Sequence, residues 1–97
     1  MTSTAISAQL PDAPEVNTRP YMNGYYDEDT DLRCYIQSLV PFSVTWYKDG
    51  VQISQQQHFP QTTEVVLTVP EVTLLSEGYY SCNATNIAGR HSSVIFL

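Results

Sequence analysis

Gly78-Tyr79-Tyr80-Ser81-Cys82-Asn83-Ala84-Thr85-Asn86-Ile87-Ala88-Gly89 is the stretch whose reading decides the fold. Its residues alternate with a period of two, so Tyr80, Cys82 and Ala84 share one face of an extended strand, while Tyr79, Ser81, Asn83 and Thr85 share the other. Asn86-Ile87-Ala88-Gly89 ends the strand, with Gly89 suited to a left-handed turn position, and residues 91–97 return as a last strand. The inward side of Cys82 raises the question of a partner. The chain holds one other cysteine, Cys34.

Around Cys34 the same period recurs. Thr30, Leu32, Cys34 and Ile36 alternate with Asp31, Arg33, Tyr35 and Gln37. Phe42, Val44 and Trp46 alternate with Ser43, Thr45 and Tyr47, and Lys48-Asp49-Gly50 supplies a hairpin turn into Val51-Gln52-Ile53, which places Trp46 in the core. Val65, Leu67 and Val69 form a further inward set, stopped by Pro70. No window carries the i, i+3, i+4, i+7 spacing of an amphipathic helix over three turns. Short strands with turn signals roughly every 8 to 12 residues describe an all-β antiparallel sandwich or barrel. Two inward cysteines on different strands then face each other across the core. Oxidised, they close a loop of nearly fifty residues, for which the chain-entropy model gives about 4 kcal/mol; buried free thiols are the alternative. A metal needs more ligands than these cysteines and the distant His58 and His91 supply, and no C-x-x-C is present.

The 97 residues carry 10 acidic against 4 basic side chains, a net charge of −6. Arg19, Arg33, Lys48 and Arg90 are scattered and form no basic stripe, so nucleic acid is not an expected partner. No apolar run approaches the roughly 18 to 20 residues of a spanning helix, so direct membrane insertion is not expected either. At 42% hydrophobic content and this length the chain makes one domain. Residues 1–12 are small and polar and run into Pro11 and Pro14, which reads as a linker or appended segment ahead of a domain at 13–97. The polar start after Met1 and the end at Leu97 within an apolar run fit the limits of an excised segment, so the lack of an export signal leaves the compartment open.

From residue 13 onward the chain resembles an immunoglobulin domain of the intermediate set (I-set). That family's Cys, Trp, Tyr-x-Cys pattern falls on Cys34, Trp46, Tyr80 and Cys82, accompanied by Trp46-Tyr47-Lys48-Asp49-Gly50 and Leu67-Thr68-Val69-Pro70-Glu71-Val72 at the family's spacing. The resemblance implies a two-sheet antiparallel sandwich of Greek-key topology, a Cys34–Cys82 disulfide against Trp46, and a core that includes Leu32, Leu67 and Val72. It makes Tyr80 a tyrosine corner and has Val72 and Leu75 plug the base of the sandwich. Two positions depart from the pattern. Ser76 stands where the family usually has Asp, so the buried Arg–Asp pair common there is not expected, although Ser can still accept a local backbone bond. Leu39-Val40-Pro41-Phe42 replaces a stretch usually rich in Gly and Pro, and these side chains cannot all point inward from a short loop.

Nucleophilic catalysis would require a Ser or Cys beside a His with an orienting carboxylate. His58 lies in a Gln-rich loop (Gln55, Gln56, Gln57) and His91 follows the last hairpin; both read as solvated residues without a nucleophile motif. Gly24, Gly50, Gly78 and Gly89 are isolated and cradle no phosphate. Asp27, Glu28, Asp29 and Asp31 read as a solvated acidic edge rather than a calcium site. The expectation is no enzyme and no cofactor. Asn83-Ala84-Thr85 is an N-glycosylation acceptor triplet with Asn83 and Thr85 on the outward face. Tyr21, Tyr25 and Tyr26 flank Asn23-Gly24, and Tyr35, Tyr47 and Tyr79 fall on outward positions, aromatic surface of the kind enriched at interfaces.

These readings describe a protein-recognition or spacer module of a multidomain extracellular adhesion, matrix (hemicentin-like) or receptor protein, secreted or on an ectodomain. The alternative is a structural module of an intracellular, filament-associated muscle-type protein. Expected partners are other protein domains, neighbouring immunoglobulin-like ones or an extracellular ligand. The expected contact surface is the pole formed by Leu39, Val40, Phe42, Ile87 and Arg90.

Overall fold

The computed structural model describes residues 12–58 and 61–97. The linker reading of residues 1–12 therefore lies, Asp12 apart, outside the described residues.

Seven strands follow in chain order: β1 (Glu15–Thr18), β2 (Thr30–Ser38), β3 (Phe42–Lys48), β4 (Val51–His58), β5 (Gln61–Val69), β6 (Tyr79–Asn86) and β7 (Gly89–Phe96). They form a three-stranded sheet, β1-β2-β5, and a four-stranded sheet, β4-β3-β6-β7, antiparallel throughout. The inward parity read from the sequence holds along β2, where Thr30, Leu32, Cys34, Ile36 and Ser38 are buried. In β6 Tyr80, Cys82, Ala84 and Asn86 are buried in the same way. Trp46 is the register partner of Cys82, and the disulfide joins Cys34 of one sheet to Cys82 of the other with a Cα–Cα distance of 6.5 Å.

The β3–β4 hairpin turns at Asp49 (φ 48°) and Gly50 (φ 86°), the doubly positive backbone whose twist matches antiparallel strands. A register shift follows between Trp46 and Tyr47. The residues Gln55, Gln56 and Gln57, expected in a loop, belong to β4. The sandwich explains why a strand tolerates them. β1 lies against β7 and β2 against β6, and the strand orders then set β5 over β3 and leave β4 with no strand of the smaller sheet above it among the described residues. Its inward positions opposite Val44 and Trp46 are Gln56 and Ser54, polar because water reaches them.

β1 was not legible as a strand, being four residues long and bounded by prolines at 14 and 20. It pairs with β2, and side chains then tie it across to the other sheet. Val16 N donates to His91 Nδ1 at 2.9 Å, and the Thr18 and Ser93 hydroxyls share a hydrogen bond. His91 is thus a structural acceptor rather than a merely solvated residue. The chain next crosses to β7, where Phe96 N donates to Pro20 O and Met22 N to Phe96 O.

Two core expectations are corrected. Leu75 does not plug the base: it sits 86% exposed on a single-turn 3-10 helix, Leu74–Ser76, while Val72 alone enters the core. That turn is held by a capping box, with the Thr73 hydroxyl accepting from Leu75 N and Ser76 Oγ accepting from Thr73 N. Such a box fixes the backbone and leaves the intervening Leu side chains outward. Leu67 packs against the core but is only half-buried, because β5 is the outer strand of its sheet among the described residues.

Candidate interaction pole

At the end of the sandwich where β2 and β6 finish, the chain presents the β2–β3 loop (residues 39–41), the β6–β7 turn (residues 87 and 88) and the approach to β1 at Asp12 and Ala13. Buried Asn86 organises all three. Its Nδ2 donates to Asp12 O at 2.8 Å and to Ser38 Oγ at 3.1 Å; its Oδ1 accepts from Ala88 N at 2.8 Å and Gly89 N at 3.2 Å. Ser38 Oγ in turn donates to Val40 O at 2.7 Å. An amide has two donor and two acceptor sites, and all four of Asn86's are used. Gly89 takes φ 153°, and a Cβ there would stand 3.3 Å from Ala13 Cβ, so glycine lets the turn and the incoming chain approach.

Above this buried polar network stand Leu39, 74% exposed, and Ile87, 86% exposed. Val40 is half-buried and Arg90 is exposed. Phe42 does not belong to this surface. It is 2% exposed as the first residue of β3, one inward step before Val44. The loop therefore resolves its apolar crowding by sending Phe42 into the core and Leu39 into water. Asn86 was read from the sequence only as the end of a strand. Its even parity with Cys82 was the available signal that it points inward.

The opposite pole carries the tyrosine corner. Tyr80 is buried and its hydroxyl donates to Ser76 O at 2.6 Å. Burial, and secondarily the negative charge of Asp49, raise its pKa above the ordinary 10.0. Lys48 Nζ donates to Leu75 O at 2.6 Å and lies over the Tyr80 ring. Exposed Leu74, Leu75 and Tyr26 crown this end.

Two of the acidic residues at the entry to β2, Asp29 and Asp31, bond locally. Asp29 Oδ1 accepts from Glu71 N, and Asp31 accepts from Thr68 Oγ1 and lies 3.6 Å from Arg33, which also pairs with Glu64. These ion pairs are exposed and each contributes at most about 1 kcal/mol.

Two sheets bridged by a cysteine pair beside a tryptophan, with a tyrosine corner at one end, define an immunoglobulin-type sandwich. The chain belongs to the immunoglobulin I-set domain family, whose profile matches residues 17–97. It is similar to hemicentin-1 of Homo sapiens, 34% identical over 89 residues, which covers 92% of this chain and 2% of that protein. It is also similar to lachesin of Drosophila melanogaster, 30% identical over 93 residues, covering 87% of this chain and 26% of that protein. The I-band fragment I67-I69 from titin matches with a TM-score of 0.76 at 28% identity, over 90% of this chain and 32% of the fragment. The chain thus spans only a small part of these relatives, and its family is one of multidomain proteins.

Proposed function

We propose that this chain is a non-catalytic recognition or spacer module of a multidomain extracellular adhesion, matrix or receptor protein, and that it makes contact through its poles. The observation that carries the reading is the Asn86 network. A fully satisfied buried amide fixes the shape of the pole, yet the side chains it raises, Leu39 and Ile87, are apolar and left in water. Apolar side chains held by rigid backbone suit a docking surface for another protein domain. A neighbouring immunoglobulin-like domain is the natural occupant, because the chain reaches β1 through Asp12 and Ala13 at this same end. The disulfide and the likeness to hemicentin-1 and lachesin support an oxidising, extracellular setting.

The likeness to titin favours a second reading, a structural module of an intracellular filament-associated protein. Titration of thiols in protein from its natural source separates the two: the proposal expects no reactive thiol, and two free thiols favour the filament reading. Hydroxyl-radical footprinting tests the contact itself. In the intact multidomain protein Leu39 and Ile87 should be protected relative to the isolated domain, and equal labelling would rule out contact at this pole.

A further inference from the structure

Asn83 sits mid-strand in β6 on the outer face of the four-stranded sheet, paired in register with Thr45 and Ser92. Its Oδ1 is buried and has no hydrogen-bond partner among the described residues. Strand interiors disfavour asparagine, and an orphaned buried acceptor carries a desolvation penalty, so folding gives no reason for this residue here. Threonine would fit the position better. The Asn83 side chain as a whole is half-buried, on the face opposite Cys82 and Ala84. Of the chain's four asparagines at 17, 23, 83 and 86, Asn83 alone heads an Asn-x-Ser/Thr triplet. Thr85, two residues on, is exposed on the same face. The outward residues directly beside it, Thr45, Ser81, Thr85 and Ser92, are small and uncharged, and Tyr47, Arg90 and Val94 lie one step farther on the same face.

We propose that Asn83 is the acceptor of an N-linked glycan that covers the outer face of β3, β6 and β7; this rests on the extracellular reading. The donor class is a lipid diphosphate-linked oligosaccharide. Asn83 Nδ2 forms the bond to the sugar's anomeric carbon, the bond from that carbon to the diphosphate oxygen breaks, the lipid diphosphate leaves, and Nδ2 gives up one proton. A glycan at this point shields the broad sheet face from lateral partners and confines contact to the poles.

The test is expression of the full chain behind a secretion signal in eukaryotic cells, followed by intact-mass analysis of the secreted, disulfide-bonded species. The expected result is a glycan mass that peptide N-glycosidase removes with conversion of Asn83 to Asp, and that is absent in both Asn83→Gln and Thr85→Ala. Secreted protein with an intact disulfide and a bare Asn83 overturns the glycan proposal while leaving the extracellular reading standing. Two free thiols and a bare Asn83 in protein from the natural source overturn both.

Discussion

Asn86 Nδ2 and Ser38 Oγ meet at 3.1 Å, joining β6 to β2 four residues beyond Cys82 and Cys34 on the same two strands and the same inward face. These two strands are therefore clamped twice across the core, covalently at mid-height and by a polar pair at the rim. The disulfide sets the spacing of the sheets; the amide sets the conformation of the loops that emerge above them.

Replacing Asn86 removes more than one bond. In Asn86→Ala the Ala88 and Gly89 amides and the Asp12 carbonyl lose their partner together. Stability should fall by about 2 to 3 kcal/mol, as for a buried hydrogen-bonded group whose partners are orphaned. Urea unfolding should show a lower midpoint with an unchanged slope.

Tyr80 links stability to alkaline pH. Its pKa is raised in the folded state, by burial first and by Asp49 second, so the folded protein holds the phenolic proton more tightly than the unfolded chain. The stabilisation is complete below the ordinary 10.0 and is lost as pH climbs through the raised value. Tyr80→Phe should lose about 1 kcal/mol at neutral pH with the bond to Ser76 O. The gap between it and the parent protein should narrow above pH 10 in melting curves taken across that range.

Cys34→Ala with Cys82→Ala should cost about 4 kcal/mol, the loop-closure value for a separation of 48 residues. Differential scanning calorimetry of the parent with and without reductant, compared with the double variant, checks this.

The strands whose inward side faces the other sheet were legible in the sequence, because one buried face imposes a strict period of two: β2, β3 and β6 show Leu32, Cys34, Trp46, Tyr80 and Cys82 in their expected places. Where that condition fails the signal fails. β4 has no strand above it among the described residues, so only its start at Val51–Ile53 reads as a hairpin arm and Gln55–Gln57 read as a loop, and β1 is too short to display a period. The family resemblance puts Leu75 in the core, but a capping box made by Thr73 and Ser76 decides its direction. The candidate pole was legible in position and not in construction. Leu39 was visible in the crowded apolar stretch Leu39-Val40-Pro41-Phe42 and Ile87 on the turn at the same pole, whereas the role of Asn86 depends on carbonyl and amide positions that only the folded loops create.

The two residues expected to share the base of the sandwich should behave oppositely. Val72→Ala removes buried methyl groups and should cost about 2 kcal/mol. Leu75→Ala should stay within about 0.5 kcal/mol of the parent, as exposed sites do. Parallel thermal melts settle the contrast.

The measurement that bears most directly on a pole-to-pole module pairs stability with association in the Leu39→Ser, Ile87→Ser double variant. Both side chains are exposed, so the isolated domain should keep its stability within about 1 kcal/mol, while its affinity for the preceding domain or protein ligand, measured by calorimetric titration, should fall at least tenfold. A large loss of stability with association unchanged would contradict the account, because it would place these side chains in the core and the binding surface elsewhere.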